Sequence, residues 1–327
     1  MTRTMLTESV VQALDEELAR DERVFLMGVD VEPAISWRTH GLAEKYPGRV
    51  RDTPISELAV MGAAVGAAAT GMRPIVDLMF SNFIYLASDP LANAAAKLRY
   101  MSGGASSFPL TVLATTGAAG GLAAQHSESV YSQVINVGGV KVVLPSTPQD
   151  AKGLLKAAIR DPNPVVFLVH QALGQVRGEV PDEEYLTPLG QGRVLRPGED
   201  VTVVGIGMMA HRALEAAEDA EKEGLSVEVI DPRTLYPLDV DAIIASVKKT
   251  GRLIVVDEAK RTCSLASEIV ARVSSDAFDA LRRPPRIVAN PDTHIPFNPD
   301  LERLVIPKAA DILAAIRSLT AAPAPVR

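Results

Sequence analysis

The stretch from Arg51 to Phe83, RDTPISELAVMGAAVGAAATGMRPIVDLMFSNF, contains a helix pattern and a strand pattern with one carboxylate, Glu57, in front of them. No charge occurs from Leu58 to Met72, and six of these fifteen residues are alanine, which favours a buried helix. The run RPIVDLMF that follows is short and mostly apolar, as is typical of a buried strand. A helix that leads directly into a buried strand predicts an α/β fold.

The same alternation of strands and helices continues along the chain. Further buried strands are predicted at RVFLMGVD, PLTVLATT, VKVVLPS and PVVFLVH, and helices at SVVQALDEELARD, DPLANAAAKLRYM and TPQDAKGLLKAAIRD. The stretch GQVRGEVPDEEYLTPLGQGRVLRPGED is polar and rich in Pro and Gly, and a second, smaller series beginning at VTVVGIG follows it. We therefore predict a first domain at 1–180, a linker at 181–192, a second domain at 193–320 and a frayed tail at 321–327.

Composition and charge exclude several classes of protein. A net charge of −7 argues against nucleic acid and anionic membranes as partners, since both require clustered Lys and Arg. The single cysteine, Cys263, excludes an internal disulfide and any metal site built from several cysteines. The N-terminus carries charges throughout and lacks the apolar core of a signal peptide, so we expect a cytoplasmic protein.

One short motif, GIGMMA from Gly205 to Ala210, resembles the dinucleotide fingerprint GxGxxA. It follows a predicted strand and opens a predicted helix, and Asp231 lies where a ribose-binding acid would be expected. Against this interpretation, the motif is short and Pro232 follows the acid directly. A nicotinamide oxidoreductase is therefore one hypothesis, and tight packing between a strand and a helix is the alternative.

Two polar residues stand out in the first half of the chain. Glu57 has three interpretations: a favourable charge in the first turn of its helix, an ion-pair partner of Arg51 or Arg73, or a deliberately buried carboxylate. His126 lies in the small-residue stretch TTGAAGGLAAQHSES, where a histidine acts either as an acid or base near pH 7 or as a structural group. The residues alone leave both questions open.

A family resemblance covers nearly the whole chain. The segments that carry it are RVRDTPISE, GAAVGAAATGMRPIVDLMFSNF, AAAKLRYMSGG, AAQHSES and DAKGLLKAAIRDPNPVVF. They resemble the beta subunit of the thiamine-diphosphate-dependent decarboxylase component of 2-oxo acid dehydrogenase complexes, and the second half leans towards acetoin dehydrogenase. The resemblance implies a thiamine-pyrimidine-binding domain, a parallel sheet flanked by helices, followed by a transketolase C-terminal-like α/β domain. It also implies that GIGMMA holds no nucleotide.

The resemblance assigns roles to individual residues. Glu57 is expected to hydrogen-bond to N1′ of the cofactor's aminopyrimidine, which helps that ring to take the proton of the thiazolium carbon. Phe83 is expected to stack on the pyrimidine beside Met79, and His126 to lie near the substrate and the incoming lipoyl group. A potassium site, formed partly by backbone carbonyl groups, is implied at Leu110, Ala158, Ile159, Asp161 and Asn163.

The chain contains no GDG-type segment ending in Asn, which would bind Mg²⁺ and the diphosphate. By resemblance a separate alpha subunit supplies that site, so we expect an α₂β₂ tetramer whose active site forms between chains. The small residues after Glu57 would then pack closely at a subunit interface. A lipoyl acyltransferase core is a further expected partner, and the substrate is expected to be a 2-oxo acid or an acetoin-like 2-hydroxy ketone.

Several positions depart from the family pattern. Val29 replaces an acid, Pro90 and Ala94 replace glutamines, and VHQALG at 169–174 replaces a segment that normally reads like EPKxLY. These departures leave two alternatives open. One is a two-subunit carboligase that transfers the acyl unit to an aldehyde or ketone. The other is a structural partner without catalysis, against which the presence of Glu57, Phe83 and His126 together argues.

Overall fold

The computed structural model describes residues 1–321, so the tail predicted at 321–327 lies, apart from Ala321, outside the described residues. Strands and helices alternate along the described chain, as the sequence predicts. The strands are β1 (Thr2–Met5), β2 (Val24–Gly28), β3 (Val50–Asp52), β4 (Arg73–Phe80), β5 (Thr111–Thr116), β6 (Lys141–Val143), β7 (Val165–His170), β8 (Arg177–Val180), β9 (Arg193–Arg196), β10 (Val201–Gly205), β11 (Val227–Asp231), β12 (Thr234–Tyr236), β13 (Leu253–Lys260) and β14 (Arg286–Asn290).

The α-helices are α1 (Leu6–Arg20), α2 (Leu42–Lys45), α3 (Glu57–Ala69), α4 (Leu98–Met101), α5 (Ala124–Ser127), α6 (Tyr131–Ile135), α7 (Pro148–Arg160), α8 (Met208–Glu221), α9 (Val240–Thr250), α10 (Leu265–Asp276), α11 (Pro299–Val305) and α12 (Ala309–Thr320). A 3₁₀ turn covers Ser81–Tyr85, and another covers Gln171–Leu173. Within residues 1–321, no helix is long and apolar enough to cross a membrane.

The chain divides into two compact units, and the division is not a single cut. The first unit comprises Met1–Gly190 together with Thr234–Pro237, and the second comprises Gln191–Arg233 together with the residues from Leu238 onward. Strand β12 therefore belongs to the first unit, although the strands before and after it in the chain belong to the second. Nothing in the sequence pattern signalled this return of the chain.

The first unit is built on a seven-stranded sheet with the order β12-β6-β7-β5-β4-β2-β3. Every neighbouring pair is parallel except β12 with β6. Strand β7 is buried along its whole length, as is typical of parallel strands covered by helices on both faces. This sheet confirms the five strands predicted in the first half of the sequence.

The second unit has a five-stranded sheet with the order β14-β13-β10-β11-β9, in which only β9 runs antiparallel to its neighbour. Its core includes the apolar faces of α8 and α12 packed over β10 and β11. The two mainly parallel sheets confirm the predicted α/β class.

Two predicted elements differ from the structure. The helix predicted at DPLANAAAKLRYM is a π-helical segment, Pro90–Ala95, followed by the single turn of α4. The polar stretch that follows β7 contains β8, which pairs with β1 at the opposite end of the domain's sequence. A local pattern cannot show such a pairing, because the partner lies more than 170 residues away.

Within this chain, helix α3 is buried on one face only. Its inner face packs Val60, Met61, Ala64, Val65 and Ala68 into the first unit. Its outer face is exposed and consists of small residues: Ala59, Gly62, Ala63, Gly66 and Ala69. An added Cβ at Gly62 or Gly66 would meet no atom within 4 Å.

Helices α1 and α7 pack against each other and are joined by a buried carboxylate. Glu17 has no exposed surface and accepts hydrogen bonds from Arg160 Nε and Nη2, the latter at 2.6 Å. Arg20 Nε donates to the same carboxylate at 2.9 Å. The hydrogen bonds to Glu17 raise the pKa of Arg160 above its ordinary value.

Removing this carboxylate should destabilise the first unit. We expect Glu17→Ala to lower the free energy of unfolding by about 2–3 kcal/mol, because both arginines lose a partner while remaining partly exposed to water. Urea unfolding followed by circular dichroism measures the change. The exposed Glu22 provides the control, and Glu22→Ala should change the same quantity by no more than about 0.5 kcal/mol. Equal stabilities for the two variants would contradict the prediction.

Candidate active site

The candidate residues of the first unit lie at or after the carboxyl ends of three parallel strands of the same sheet. Glu57 comes after β3, Met79 and Phe83 lie at the end of β4, and His126 follows β5. In open α/β sheets, ligands bind outside the carboxyl ends of the strands, because the loops that follow the strands converge there. The fold therefore gathers at one edge of a sheet residues that are far apart in the sequence.

The Glu57 carboxylate is half-buried at the start of α3. Within residues 1–321, no side chain hydrogen-bonds to it or forms an ion pair with it. Arg51 donates to the Gly48 carbonyl instead, and Arg73 donates to the Ile159 carbonyl. Of the three interpretations of Glu57, the ion pair with Arg51 or Arg73 is therefore wrong.

The remaining interpretations of Glu57 are compatible with its position. It is the first residue of α3, where a negative charge is favoured by the helix dipole. The Ser56 side chain makes no capping bond, and the Thr53 hydroxyl is buried without a hydrogen-bond partner in the part of the chain that the structure describes. This corner of the site holds polar groups that the described protein atoms leave unsatisfied.

A β-bulge shapes the end of β4. The pairing with β5 shifts register between Asp77 and Phe80, and Met79 between them has a φ of +62°. A positive φ is uncommon for a residue with a Cβ, and bulges are frequent beside active sites, where they redirect side chains. The bulge sets the direction in which Met79 and the residues after it leave the sheet.

A buried ion pair underlies this bulge. Arg38 Nη2 donates to Asp77 Oδ1 at 2.8 Å, and the same oxygen accepts from the Met79 backbone N–H at 2.8 Å. Arg38 also donates to the Thr115 hydroxyl and, at 3.4 Å, to the Met79 carbonyl. Since both charged side chains are buried, the pair fixes the backbone on either side of the positive-φ residue.

Three rings form a cluster at this edge. The Phe80 ring lies edge-on to His126 with 4.7 Å between centroids, and the Phe83 ring lies edge-on to His126 at 5.7 Å. The two phenylalanines are 6.0 Å apart and also T-shaped. Edge-to-face contacts of this kind hold aromatic rings in a defined orientation.

The loop that carries His126 is attached to its surroundings by side-chain amides. Asn82 Nδ2 donates to the Ala124 carbonyl at 3.4 Å, and Gln171 Nε2 donates to the His126 carbonyl at 2.5 Å. Ser81 Oγ donates to the Glu128 carbonyl at 3.0 Å. The backbone around His126 is thus held from both the β4 side and the β7 side of the sheet.

The residues implied for potassium lie just before the amino ends of β5 and β7, and most of them already accept a hydrogen bond from a protein donor. Arg73 Nη1 donates to the Ile159 carbonyl at 2.7 Å and to the Asp161 carbonyl at 3.3 Å. The Leu110 carbonyl accepts from the Val165 N–H, and the Ala158 carbonyl from the Asp161 N–H. Asn163 Oδ1 accepts from Arg99 Nη1 at 2.8 Å. A potassium ion would have to share these oxygens with protein donors.

Several residues of the site were missed by sequence reasoning. Phe80 could have been found, because it lies within the quoted segment MFSNF, between Met79 and Phe83. Arg38, Asp77 and Gln171 carry no motif, and their contacts depend on which loops the sheet brings together. Among the predicted site residues, the structure brings Phe83 and His126 into direct contact, whereas Glu57 and Met79 share only the same edge of the sheet.

The GIGMMA segment in the second unit has the geometry of close packing. An added Cβ at Gly205 would lie 2.6 Å from the Ala210 backbone, so the helix that follows β10 begins directly against that strand. Asp231 is buried, and its Oδ1 accepts from the Arg233 N–H at 2.9 Å. Both features support the packing interpretation of the motif.

Two family profiles match the chain in succession. "Transketolase, pyrimidine binding domain" matches residues 3–176, and "Transketolase, C-terminal domain" matches residues 190–312. A solved structure described as "Split gene transketolase, inactive beta4 tetramer" superposes with a TM-score of 0.78, covering 96% of this chain and 97% of that one. At 24% sequence identity, this likeness establishes the fold alone.

Curated relatives match over nearly the whole chain. Acetoin:2,6-dichlorophenolindophenol oxidoreductase subunit beta of Cupriavidus necator is 46% identical, over 94% of this chain and 95% of the relative. Pyruvate dehydrogenase E1 component subunit beta of Bacillus subtilis is 41% identical, over 98% and 99%. The 2-oxoisovalerate dehydrogenase subunit beta of the same bacterium is 42% identical, over 95% and 97%. The chain therefore belongs to the family of beta subunits of the thiamine-diphosphate-dependent E1 component of acetoin, pyruvate and branched-chain 2-oxo acid dehydrogenases.

Proposed function

We propose that the carboxyl edge of the seven-stranded sheet binds the pyrimidine half of thiamine diphosphate. The proposed cofactor-binding residues are Glu57, Met79 and Phe83, and the proposed catalytic residues are Glu57 and His126. One observation carries the proposal. The half-buried Glu57 carboxylate has no protein partner within residues 1–321, and it shares this edge of the sheet with the Phe80, Phe83 and His126 cluster.

The residues at this edge fit a flat, nitrogen-containing ring. A partly buried carboxylate is costly unless something hydrogen-bonds to it, and a ring nitrogen that carries a proton supplies that bond. Phe83 and Met79 offer an aromatic face and a polarizable side chain for the ring to contact. The buried Asn82 Oδ1 and Ser127 Oγ, which have no hydrogen-bond partner among the described atoms, add further polar groups.

Each residue then has a distinct task. Thiamine diphosphate, when bound, supplies a carbon nucleophile for the carbonyl group of the substrate. Glu57 hydrogen-bonds to the pyrimidine nitrogen and sets the protonation of that ring, while Phe83 and Met79 orient the ring and exclude water. His126 exchanges a proton with the substrate oxygen or with the acceptor sulfur, which suits an imidazole at neutral pH.

The proposed substrate is acetoin or a short 2-oxo acid. The relative at 46% identity is named for acetoin, and the relatives at 41% and 42% are named for pyruvate and 2-oxoisovalerate. With acetoin, the bond between the carbonyl and carbinol carbons breaks and acetaldehyde leaves. The remaining acetyl unit is oxidised to a thioester as the S–S bond of a lipoyl group is reduced to one thioester sulfur and one thiol.

The proposed assembly is an α₂β₂ tetramer in the cytoplasm, in which the alpha subunit binds Mg²⁺ and the diphosphate. Membership of the beta-subunit family implies an alpha partner. The exposed outer face of α3 supports close packing against another subunit, since its small side chains let two backbones approach each other. Exposed apolar residues near the site, Ile55 and Leu58 among them, also favour burial by a partner. A lipoyl acyltransferase core is the proposed recipient of the acyl unit.

Carboligation is the second candidate function. It retains the cofactor and the cleavage but transfers the acyl unit to an aldehyde or ketone. The VHQALG segment favours it, because this departure from the family pattern contacts the His126 loop directly through Gln171. A changed support for His126 is compatible with a changed acceptor.

Potassium at Leu110, Ala158, Ile159, Asp161 and Asn163 is a further part of the proposal. Each carbonyl oxygen has two lone pairs, so it can accept one protein hydrogen bond and also coordinate an ion. The positive charge of the Arg73 guanidinium group, which donates to two of these carbonyl groups, repels a potassium ion bound there. Burial lowers the pKa of Arg73, with repulsion from Arg23 as the next cause. We therefore expect weak binding.

The role of Glu57 can be tested in the complex with the alpha subunit. We expect Glu57→Gln to lower kcat by at least about a hundredfold with acetoin or pyruvate, because an amide cannot exchange the proton of the ring nitrogen. Reduction of 2,6-dichlorophenolindophenol in the presence of thiamine diphosphate and Mg²⁺ measures the rate. Glu44→Gln, at an exposed position, is the matched control and should retain full activity. A Glu57→Gln variant as active as this control would refute the proposal.

The acceptor can be identified by isotopic trapping. With an acyl-labelled substrate, lipoamide and a candidate aldehyde present together, we expect most of the label in S-acyl-dihydrolipoamide, because the named relatives are dehydrogenase components. Chromatography of the products measures the partition. Label found mainly in a new hydroxyketone would establish carboligation instead, and cleavage without label in either product would contradict both.

Potassium can be tested through stability. Replacing 100 mM choline with 100 mM K⁺ should raise the midpoint of thermal unfolding of the complex by about 3–6 °C, as expected for millimolar affinity. The same concentration of Li⁺ serves as the control for ionic strength. Identical midpoints in all three salts would show that the carbonyl groups and Arg73 need no ion.

A further inference from the structure

The loop that carries His126 is built mostly from small residues. Residues 117–126 read GAAGGLAAQH, so most of the side chains are too small to anchor the backbone. Four of the ten residues have positive φ values: Gly117, Gly120, Gly121 and Ala123. Such a loop has many accessible conformations, and a single one must be selected by contacts from outside.

One side chain contacts both ends of this loop. Gln171 Nε2 donates to the Gly117 carbonyl at 2.7 Å and to the His126 carbonyl at 2.5 Å. A primary amide nitrogen carries two hydrogens, so each carbonyl can receive its own. Gln171 thereby closes the ten-residue loop with two hydrogen bonds. The Asn82 bond on the other side of the loop is longer, at 3.4 Å.

The residue before Gln171 fixes where its amide is presented. His170 ends β7, is buried, and accepts from the Ala172 N–H through Nδ1 at 3.2 Å. Its ring also lies flush against Gly117, where an added Cβ would be 2.1 Å from Nε2. Gly117 therefore has to be glycine for two reasons, its φ of +79° and this contact.

We propose that Gln171 is a positioning residue for His126, and that the VHQALG segment replaces the family's EPKxLY pattern as the support of this loop. The inference rests on the proposed role of His126. When Leu173 is aligned with the leucine of EPKxLY, the lysine of that pattern falls at position 171. Lysine also donates hydrogen bonds but carries a positive charge. Gln171 therefore keeps the hydrogen-bond donors of that lysine and lacks its charge.

The first test measures hydrogen exchange in the loop and does not depend on enzyme activity. Gln171→Met keeps the length of the side chain and removes both donors, whereas Gln171→Lys keeps donors. In the complex with the alpha subunit, we expect at least fivefold faster hydrogen exchange in peptides covering 117–127 for the Met variant and less than twofold change for the Lys variant. Gln175→Met, at an exposed position four residues along, is the control and should match the unmodified protein. Unchanged exchange in the Met variant overturns the inference.

The second test measures how the loss of the Gln171 hydrogen bonds affects the reaction rate. Because small displacements of a reacting group reduce rates strongly, we expect Gln171→Met to lower kcat about ten- to a hundredfold while the Kd of thiamine diphosphate stays within twofold. Gln171→Lys should recover at least half of the lost rate. A fall in cofactor affinity as large as that in kcat, or no rescue by lysine, would indicate a general structural role and refute positioning.

His126→Ala keeps the two proposals separable, and Gln171→Asn provides a second loss of contact in case Gln171→Met does not fold. If His126→Ala is fully active, the proposed role of His126 fails, while the exchange experiment still decides whether Gln171 orders the loop. If His126→Ala is inactive and Gln171→Met is as active as Gln175→Met, the inference fails and the proposed function stands. Gln171→Asn retains the amide but is too short to reach both carbonyls, so it should behave like Gln171→Met. Wild-type exchange in a folded Asn variant contradicts the inference.

Discussion

The buried ion pair between Arg38 and Asp77 is the constraint on which the candidate site depends. Taking two charges out of water is expensive, and removing one partner of such a pair typically costs about 3–5 kcal/mol. Here a single carboxylate oxygen receives both the guanidinium group and the Met79 N–H. Arg38 Nε and Asp77 Oδ2 have no hydrogen-bond partner among the described residues, so the pair is not an optimal stabilising device. Its effect is to define one backbone path where β4 leaves the sheet.

Much of the fold was accessible from the sequence, because buried strands and amphipathic helices impose local patterns. Strands β4, β5 and β7 and helices α1 and α7 were all predicted, and Thr147 caps α7 by accepting from the Asp150 N–H. The pairing of β1 with β8 was not accessible, since it joins short strands from distant parts of the chain. The π-helical turn after Pro90 was also missed, because alanine-rich sequence favours helix without specifying its width.

The candidate site divides in the same way. Glu57, Phe83 and His126 could be named because they match a family pattern, and their placement at one sheet edge follows from strand order. The parts that hold them could not be named. Arg38 lies in a loop with four positive-φ residues, counted from Asp30 to Gly41, and Gln171 lies in a segment that departs from the family pattern. Such contacts depend on which loops lie next to each other in the folded protein. Neither hydrophobic periodicity nor residue type predicts that arrangement.

The position of strand β12 affects the folding of the first unit during synthesis and its isolation as a fragment. Its three residues form the outer strand of the first sheet beside β6, yet the ribosome delivers them only after β9, β10, α8 and β11. A nascent first unit therefore presents β6 with open backbone N–H and C=O groups until more than forty further residues have emerged. An uncovered strand of this kind can pair with other chains. A fragment ended near Gly190 would keep that open edge permanently, so the first unit cannot be obtained intact by truncation.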